Sequence, residues 1–314
     1  MQLHHTLFTL TASHHFLIAY SGGLDSHVLL HAMIELRKEY PEMMLSAIHV
    51  NHHLNPQSTL WAQHCQKICD ELAVPLLIEN IHIDLKPGDS LEENARDARY
   101  AVFKKQLDAK TVLLTAHHLD DQAETFLLQA LRGAGSKGLS AMPVKKKCGS
   151  SFLIRPLLSY SRSELEKYAH DHHLKWIEDD SNADTKFNRN YLRHAIFPIL
   201  KKRFPKVMEN FSRSARLMAE QEKVISEIAK ADLASIHTST FTHRLPIAPL
   251  LQFSESRQRV ILREWLHQHH LRMPNEKHLK QIQKDVLNAA PDAHPVFVLG
   301  DITLRRVRGE LVID

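Results

Sequence analysis

In the first half of the chain, short apolar runs alternate with stretches of helical periodicity. The runs are FLIAY (16–20), SAIHV (46–50), LLIENIHI (76–83) and TVLLTA (111–116), with helical patterns near 26–39, 58–73, 91–108 and 121–132. FLIRPLL (152–158) and the short WIED (176–179) extend the series. Strand-length runs separated by helix-length connections are the pattern of parallel strands with crossover helices. The expected fold is α/β: a doubly wound, mainly parallel, Rossmann-like sheet, which binds ligands beyond the carboxyl ends of its strands. After Asn190 the pattern turns helical, at roughly 190–202, 206–232, 254–270 and 275–288. The end, PVFVLGDITLRRVRGELVID, reads as short strands with turns at Gly300-Asp301 and Arg308-Gly309. A boundary near 210–215 divides the chain into a first domain, 1–212, and a second, mostly helical one, 213–314, that ends in short strands.

The 314 residues are 43% hydrophobic, enough for two cores. No apolar run approaches the roughly 20 residues of a membrane span, and no secretory leader is expected at the N-terminus, so the reading is a soluble cytoplasmic protein. Cys65, Cys69 and Cys148 show no CxxC spacing and make no disulfide framework. The net charge of +4 says little, but its distribution says more. From Lys186 to Met218 nine basic residues, Lys201, Lys202 and Arg203 among them, face the single acid Glu209. A solvated helix face interleaves its signs; a one-signed segment of this length points to a polyanion, nucleic acid first.

Ser21-Gly22-Gly23-Leu24-Asp25-Ser26 follows the first strand and opens a helix whose apolar face is Leu29, Leu30, Met33 and Leu36. The glycines allow unusual backbone angles and close approach to a ligand. The free N–H groups of the helix start favour an anion, and Ser21 and Ser26 add hydroxyls. Asp25 would repel a bare phosphate; it makes sense where Mg²⁺ bridges the two. There is no GxxxxGK[ST] and no GxGxxG here, so neither a Walker A loop nor a dinucleotide fingerprint is present. The competing reading is a plain strand–helix turn capped by Asp25 and Ser26.

The segment AHHLDDQAETFLLQALRGAGSKGLSAM (116–142) follows the fourth long run. Asp121 and Glu124 are three apart at a helix start, where acids also serve as caps. With Asp120 and two histidines at a strand's carboxyl end they equally make a cation site, for Mg²⁺ or an ammonium group. His117 and His118 make no metal pair by themselves, because adjacent strand residues point to opposite faces. Gly133, Gly135 and Gly138 with Arg132 and Lys137 read as a flexible basic loop. In EDDSNADTKFNRNYLRHAIFP (178–198), Arg189, Asn190 and Arg193 punctuate a helix start.

SGGLDS resembles the signature of the PP-loop ATP pyrophosphatases. With HVNHHL, ENARDARY, AHHLDDQAET, LRGAGSKGLSAM, RPLL and EDDSNADTKFNRNYLRHAIFP, in that order over residues 21–198, it closely resembles the tRNA(Ile)-lysidine synthetase family. The resemblance implies ATP and Mg²⁺ as cofactors, and L-lysine and a CAU-anticodon tRNA(Ile) as partners. ATP would adenylate the C2 oxygen of the wobble cytidine. The lysine ε-amine would then displace AMP, giving lysidine and changing codon reading from AUG to AUA.

By this resemblance residues 21–26 bind the ATP pyrophosphate, with Asp25 reaching Mg²⁺ through ATP. The catalytic candidates are Asp25, Arg193 and His117. Asp121, Glu124 and Arg99 are the lysine-binding candidates, with Arg96 an alternative to Arg99. Lys145, Lys146, Arg189, Lys201, Lys202 and Arg203 are the candidate tRNA contacts, and Lys147 joins the first pair. A homodimer is plausible.

Two departures accompany the resemblance. Where many relatives have Gly-Leu-Arg after HVNH, this chain has His53-Leu54-Asn55. Longer relatives also carry a further C-terminal domain that helps grip the tRNA, so a chain ending at Asp314 is expected to be a short form or a truncated one. The nearest rival is a PP-loop tRNA thiolase, which the unpaired cysteines do not suit. Small-molecule amidotransferases fit the basic second half poorly. A tRNA-binding protein without catalysis would need no pyrophosphate cradle.

Overall fold

The computed structural model describes the chain except residues 84–90, 181–183, 237–242, 272, 291–292 and 301. Ser181 and Asn182 of the EDDSN motif and Asp301 of the expected turn therefore lie outside the described residues. The chain divides into two units, Met1–Ala219 and Glu220–Asp314. Both the division and the boundary expected at 212–213 fall within one helix, Val207–Ile236.

The first unit opens with α1 (Leu3–Leu10), β1 (His15–Ala19), α2 (Leu24–Glu39), β2 (Met44–Asn51), α3 (Ser58–Glu71), β3 (Leu76–Asn80), α4 (Leu91–Gln106), β4 (Thr111–Leu114) and α5 (Leu119–Leu131). A helical turn α6 (Ser136–Leu139), β5 (Lys145–Cys148), β6 (Ser151–Ile154) and α7 (Arg162–Asp171) follow. The sheet order is β3-β2-β1-β4-β6-β5, parallel except for β5, which runs antiparallel to β6. Order therefore reverses between β1 and β4, the switch point at which such sheets take ligands.

Both faces of the sheet are covered, which explains the unbroken apolar runs. Successive strand residues face opposite ways. Phe16, Ile18, Leu45, Ala47, Val112 and Leu114 join the core under α1, α2 and α7. Leu17, Ile48, Leu113 and Leu153 join Val102 and Phe103 of α4 on the other side. Helix α2 is buried around most of its circumference, from Leu24 through Val28, Leu30 and Met33 to Leu36. Each of these large aliphatic side chains contributes about 2 kcal/mol on burial, so the loop before α2 is anchored by a rigid element.

Several expectations are corrected. The run at 152–158 is a strand only to Ile154, because Pro156 cannot donate to a ladder. Residues 176–179 join no sheet; the Ile177 N–H instead donates to the Gly22 carbonyl (3.0 Å). The loop read as flexible at 132–138 runs into the turn of α6. Lys145, Lys146 and Lys147 stand on an edge strand, where lysines also discourage edge pairing. Helix α7 was not foreseen, although Ser161 and Glu164 form a reciprocal capping box at its start.

Beyond residue 183 come α8 (Asn188–Tyr191), a π-helical turn (Leu192–Ile196) and α9 (Phe197–Arg203), which read as one helix. Pro198 lacks the N–H of a regular turn, and the wider turn is closed by Phe197 N–H donating to Leu192 C=O. Ala123 of α5, Leu192, Phe197, Val207 and Met208 pack into one cluster, which sets α8 and α9 against α5.

The long α10 (Val207–Ile236) leads into the second unit. There β7 (Arg244–Pro246), the short α11 (Ile247–Leu250), α12 (Glu255–Gln268), α13 (Glu276–Gln281) with a π-helical extension to Leu287, β8 (Val296–Leu299), β9 (Ile302–Val307) and β10 (Glu310–Ile313) follow. The strands form an antiparallel sheet in the order β7-β10-β9-β8. Arg308 and Gly309, at φ 50° and 79°, make the expected hairpin turn between β9 and β10. Trp265, Leu262, Ile282, Leu304 and Leu311 fill this unit's core.

Candidate active site

The loop after β1 is built to expose backbone donors. Gly22 has φ +85°, and a Cβ there would sit 2.9 Å from Cys65 Sγ and 3.1 Å from Ile177 Cδ1, so only glycine fits. Ser26 Oγ donates to the Gly23 carbonyl (2.9 Å) and accepts from the Ser21 N–H (3.2 Å), with Ser21 Oγ 3.1 Å away. The two serines thus tie the loop into a closed curve over the N-terminus of α2. Leu24 begins the helix and is buried, so its part in the loop is anchorage. Asp25 stands in the first turn, at the rim of the cradle.

At the other side of the switch point, the turn from β4 into α5 brings a dense charge cluster. The His118 N–H donates to Asp121 Oδ2 (2.9 Å), closing the N-cap of α5. The buried His118 ring lies between carboxylates: its Nε2 is 3.5 Å from Asp121 Oδ2 and 3.7 Å from Asp25 Oδ2, and its Nδ1 is 3.9 Å from Asp120 Oδ2. It is the physical link between the loop's carboxylate and those of α5.

Arginines from two other elements close the cluster. Arg189 Nε donates to Glu124 Oε2 (2.7 Å) and its Nη2 to Asp121 Oδ1 (2.8 Å). Arg193, four residues on and on the same helix face, forks onto Glu124 with Nε to Oε1 at 2.7 Å and Nη2 to Oε2 at 2.9 Å. Arg162 Nη1 donates to Asp25 Oδ1 (2.7 Å), and its backbone N–H to Asp120 Oδ2 (2.8 Å). Lys201 Nζ is 3.4 Å from Asp120 Oδ1.

The electrostatics follow from this crowding. Burial raises the Asp121 pKa, but the charges of His118 and Arg189 and the backbone N–H outweigh it and hold the carboxyl at about 2. For Asp25 burial wins over His118 and Arg162, and the carboxyl is pushed above the ordinary range. Arg189 and Arg193 lose solvation, yet the facing acids push both pKa values up.

Several candidates stand elsewhere than expected. His117 turns to Thr115, with Nδ1 2.9 Å from Oγ1, and burial pushes it down to about 3. It is neutral at physiological pH, a hydrogen-bonding group but a poor proton carrier. The neighbour that meets the carboxylates is His118. Arg99 donates through Nε to His52 Nε2 (3.3 Å), at the end of β2, not to Asp121 or Glu124. Arg96 lies over the Tyr100 ring at 5.2 Å.

Arg189, expected on the RNA, is committed to the carboxylates, and Lys201 leans on Asp120. Lys202, Arg203, Lys146 and Lys147 are exposed. Lys145 Nζ donates to the Leu10 carbonyl (2.5 Å) and sits 4.1 Å from the Phe152 ring centroid. The residues missed in sequence are Arg162 and His118. The capping box of α7 could have pointed to the first; nothing local distinguishes the second from His117.

Among the described residues no group of three or more histidine, cysteine, aspartate or glutamate side chains is arranged to hold a metal ion. A single carboxylate at a phosphate cradle suits Mg²⁺, which keeps waters and arrives with phosphate oxygens. Asp25 fits that donor set.

Residues 2–200 match the PP-loop domain family, and residues 245–312 match the TilS substrate binding domain family. A tRNA(Ile)-lysidine synthase of Coxiella burnetii is 50% identical over 306 residues, covering 98% of this chain and 67% of that protein. The chain belongs to the tRNA(Ile)-lysidine synthase family. Another member, from Pseudomonas fluorescens, is 46% identical, covering 95% of this chain and 67% of its own. The chain thus spans about two thirds of these lysidine synthases. Among solved structures, a U34-tRNA thiolase of Methanococcus maripaludis shares the fold, with a TM-score of 0.55 at 21% identity, over 65% of this chain and 71% of that one.

Proposed function

We propose that this chain ligates L-lysine to C2 of the wobble cytidine of CAU-anticodon tRNA(Ile), at the expense of ATP. The observation that carries the reading is the meeting of the Ser21–Ser26 cradle and the Asp120, Asp121 and Glu124 cluster through His118 at the sheet's switch point. The cytidine O2 forms a bond to the α-phosphorus, and the bond from that phosphorus to pyrophosphate breaks. The lysine ε-amine, freed of a proton, then bonds to C2 as the C2–O2 bond breaks and AMP departs with that oxygen. The product reads AUA in place of AUG and gives the tRNA isoleucine identity.

In this mechanism residues 21–26 hold the departing pyrophosphate through backbone N–H groups and the Ser21 and Ser26 hydroxyls. Asp25 would hold Mg²⁺, which when bound would neutralise charge on the phosphates. Asp121 and Glu124 attract the lysine ammonium in exchange for an arginine contact. Arg193, 37% exposed against 25% for Arg189, is the one we assign to the adenylate phosphate, in exchange for its fork on Glu124. Lys202, Arg203, Lys146 and Lys147 offer positive charge to the tRNA backbone. The thiolase alternative is poorly served, since Cys65, Cys69 and Cys148 are all buried and burial pushes Cys65 and Cys69 up to about 12. We place the reaction in the cytoplasm; among the described residues no helix is long and apolar enough to cross a membrane.

The test is transfer of labelled L-lysine to a CAU-anticodon tRNA(Ile) transcript in the presence of ATP and Mg²⁺. Label at the wobble cytidine, reduced at least ~10²-fold by Asp25→Asn, is the expected result. ATP turnover without label would point to a different PP-loop modification, and neither turnover nor label to a binding protein.

A further inference from the structure

Arg162 is the charged side chain at this site for which the family's motifs, as matched in the sequence, give no role. It is the first residue of α7, so its Cα is fixed by the capping box of Ser161 and Glu164. Its own N–H donates to Asp120 Oδ2 (2.8 Å), which binds that backbone to the start of α5. Among the described residues the guanidinium is held at two points. Nε donates to Glu166 Oε1 (2.9 Å), one turn along α7, and Nη1 donates to Asp25 Oδ1 (2.7 Å). No hydrogen bond of Nη2 is among these contacts, and the side chain is 39% exposed.

Those contacts are unequal in permanence. The Glu166 pair lies within one helix, four residues apart, and does not depend on what occupies the cradle. The Asp25 pair does, because Asp25 stands in the first turn of α2, beside the backbone donors that suit a phosphate chain. A divalent cation carried in by ATP would compete for the Asp25 oxygens that Arg162 now engages. Once displaced, the guanidinium remains tethered at Nε within a few ångströms of the cradle, with both terminal nitrogens free. Its planar fork is the geometry that recognises phosphate oxygens in pairs.

We propose that Arg162 is a pyrophosphate-binding residue, parked on Asp25 until nucleotide arrives, with Glu166 holding it in reach. This rests on the ATP-dependent reading above. Arg162 would then share with the α2 N-terminus the negative charge that builds on pyrophosphate as it leaves the α-phosphorus. The pairing with Asp25 would keep that carboxylate compensated in the empty site.

Calorimetric titration with inorganic pyrophosphate, with Mg²⁺ and again with chelator at matched ionic strength, separates this from a purely structural role. If Arg162 contacts pyrophosphate, Arg162→Gln weakens Mg²⁺-supported binding about tenfold or more. Arg162→Lys, which keeps the charge against Asp25 but loses the fork, falls in between. If Arg162 only neutralises Asp25, its removal frees that carboxylate for the cation, and Mg²⁺-supported binding tightens or stays unchanged; either result overturns the proposal. Should Arg162→Gln fail to fold, Glu166→Gln on the half-exposed side of α7 carries the test. A loss of about two- to fivefold is expected, and no change overturns the proposal. A wild type that binds neither pyrophosphate nor ATP overturns the ATP reading as well, whereas normal ATP binding with an indifferent Arg162→Gln overturns this inference alone.

Discussion

At the scale of single residues, two positions carry sharp expectations. Gly22 combines a left-handed backbone with contact distances that leave no space for a methyl group. Gly22→Ala should therefore lose nucleotide binding by at least about tenfold, because both the strain and the push against Cys65 displace the loop; titration with ATP checks it. Glu124 is the second. Its side chain is 1% exposed and takes three hydrogen bonds from Arg189 and Arg193. Glu124→Gln leaves two guanidinium groups with half their compensation and should cost about 3 kcal/mol, near the low end for breaking a buried pair because both arginines keep some solvent contact. Urea melts measure this, and a loss below about 1 kcal/mol would mean that the arginines find other partners. The GGxDS pattern was readable in sequence because it is local. That Glu124 meets two arginines 65 and 69 residues away was not, since charge residues at an N-cap look alike whatever faces them.

At the scale of elements, the helices were more legible than the strand ends. Long apolar periodicities located α2, α3, α4 and α10 well, while WIED was misread because a single bond to Gly22 makes no ladder. The edge strand β5 went unread because its lysines carry no apolar signal, yet Lys145 to Cys148 pair in register with Ile154 to Ser151. This placement changes what the lysines can do. Lys145 is engaged by Leu10 and Phe152, whereas Lys146 and Lys147 are exposed, as are Lys202 and Arg203 at the end of α9. Neutralising the four exposed residues should weaken tRNA binding and flatten its salt dependence, by roughly 0.7–0.9 in slope for each lost phosphate contact. Lys145→Gln should leave that slope unchanged. Filter binding across a salt series distinguishes the two, and an unchanged slope in the fourfold variant would make those residues merely solvated.

At the scale of the first unit as a whole, acid sensitivity is built in. Burial pushes His27 down to about 4 and His117 to about 3, and also lowers His49. Their folded pKa values lie below the unfolded value near 6.5, so between those limits the unfolded chain binds more protons. Stability is then fully present above about pH 6.5 and is lost as pH falls toward 3–4. Asp121, held at about 2, adds a further loss below about pH 4, and Asp25, raised, works in the opposite sense. Urea midpoints should drop between pH 7.5 and 5, and His27→Leu should flatten that drop. A midpoint constant over this range would mean that these rings are hydrated in solution.

The sequence by itself determined the alternation of strands and helices, the phosphate-type loop at the end of the first strand, and the basic segment that follows Asn190. These are properties of spacing and composition within a few turns of chain. Only the tertiary structure decided which charges meet. Residues 25, 118, 121, 124, 162, 189 and 193 come from four segments, and their juxtaposition depends on strand order, on the packing of α7 beside α2, and on the packing of Leu192 and Phe197 with Ala123, which sets the helix of Arg189 and Arg193 against α5. Coulomb and hydrogen-bond energies fall off within a few ångströms, so the pairing of such groups is set by packing geometry rather than by sequence distance.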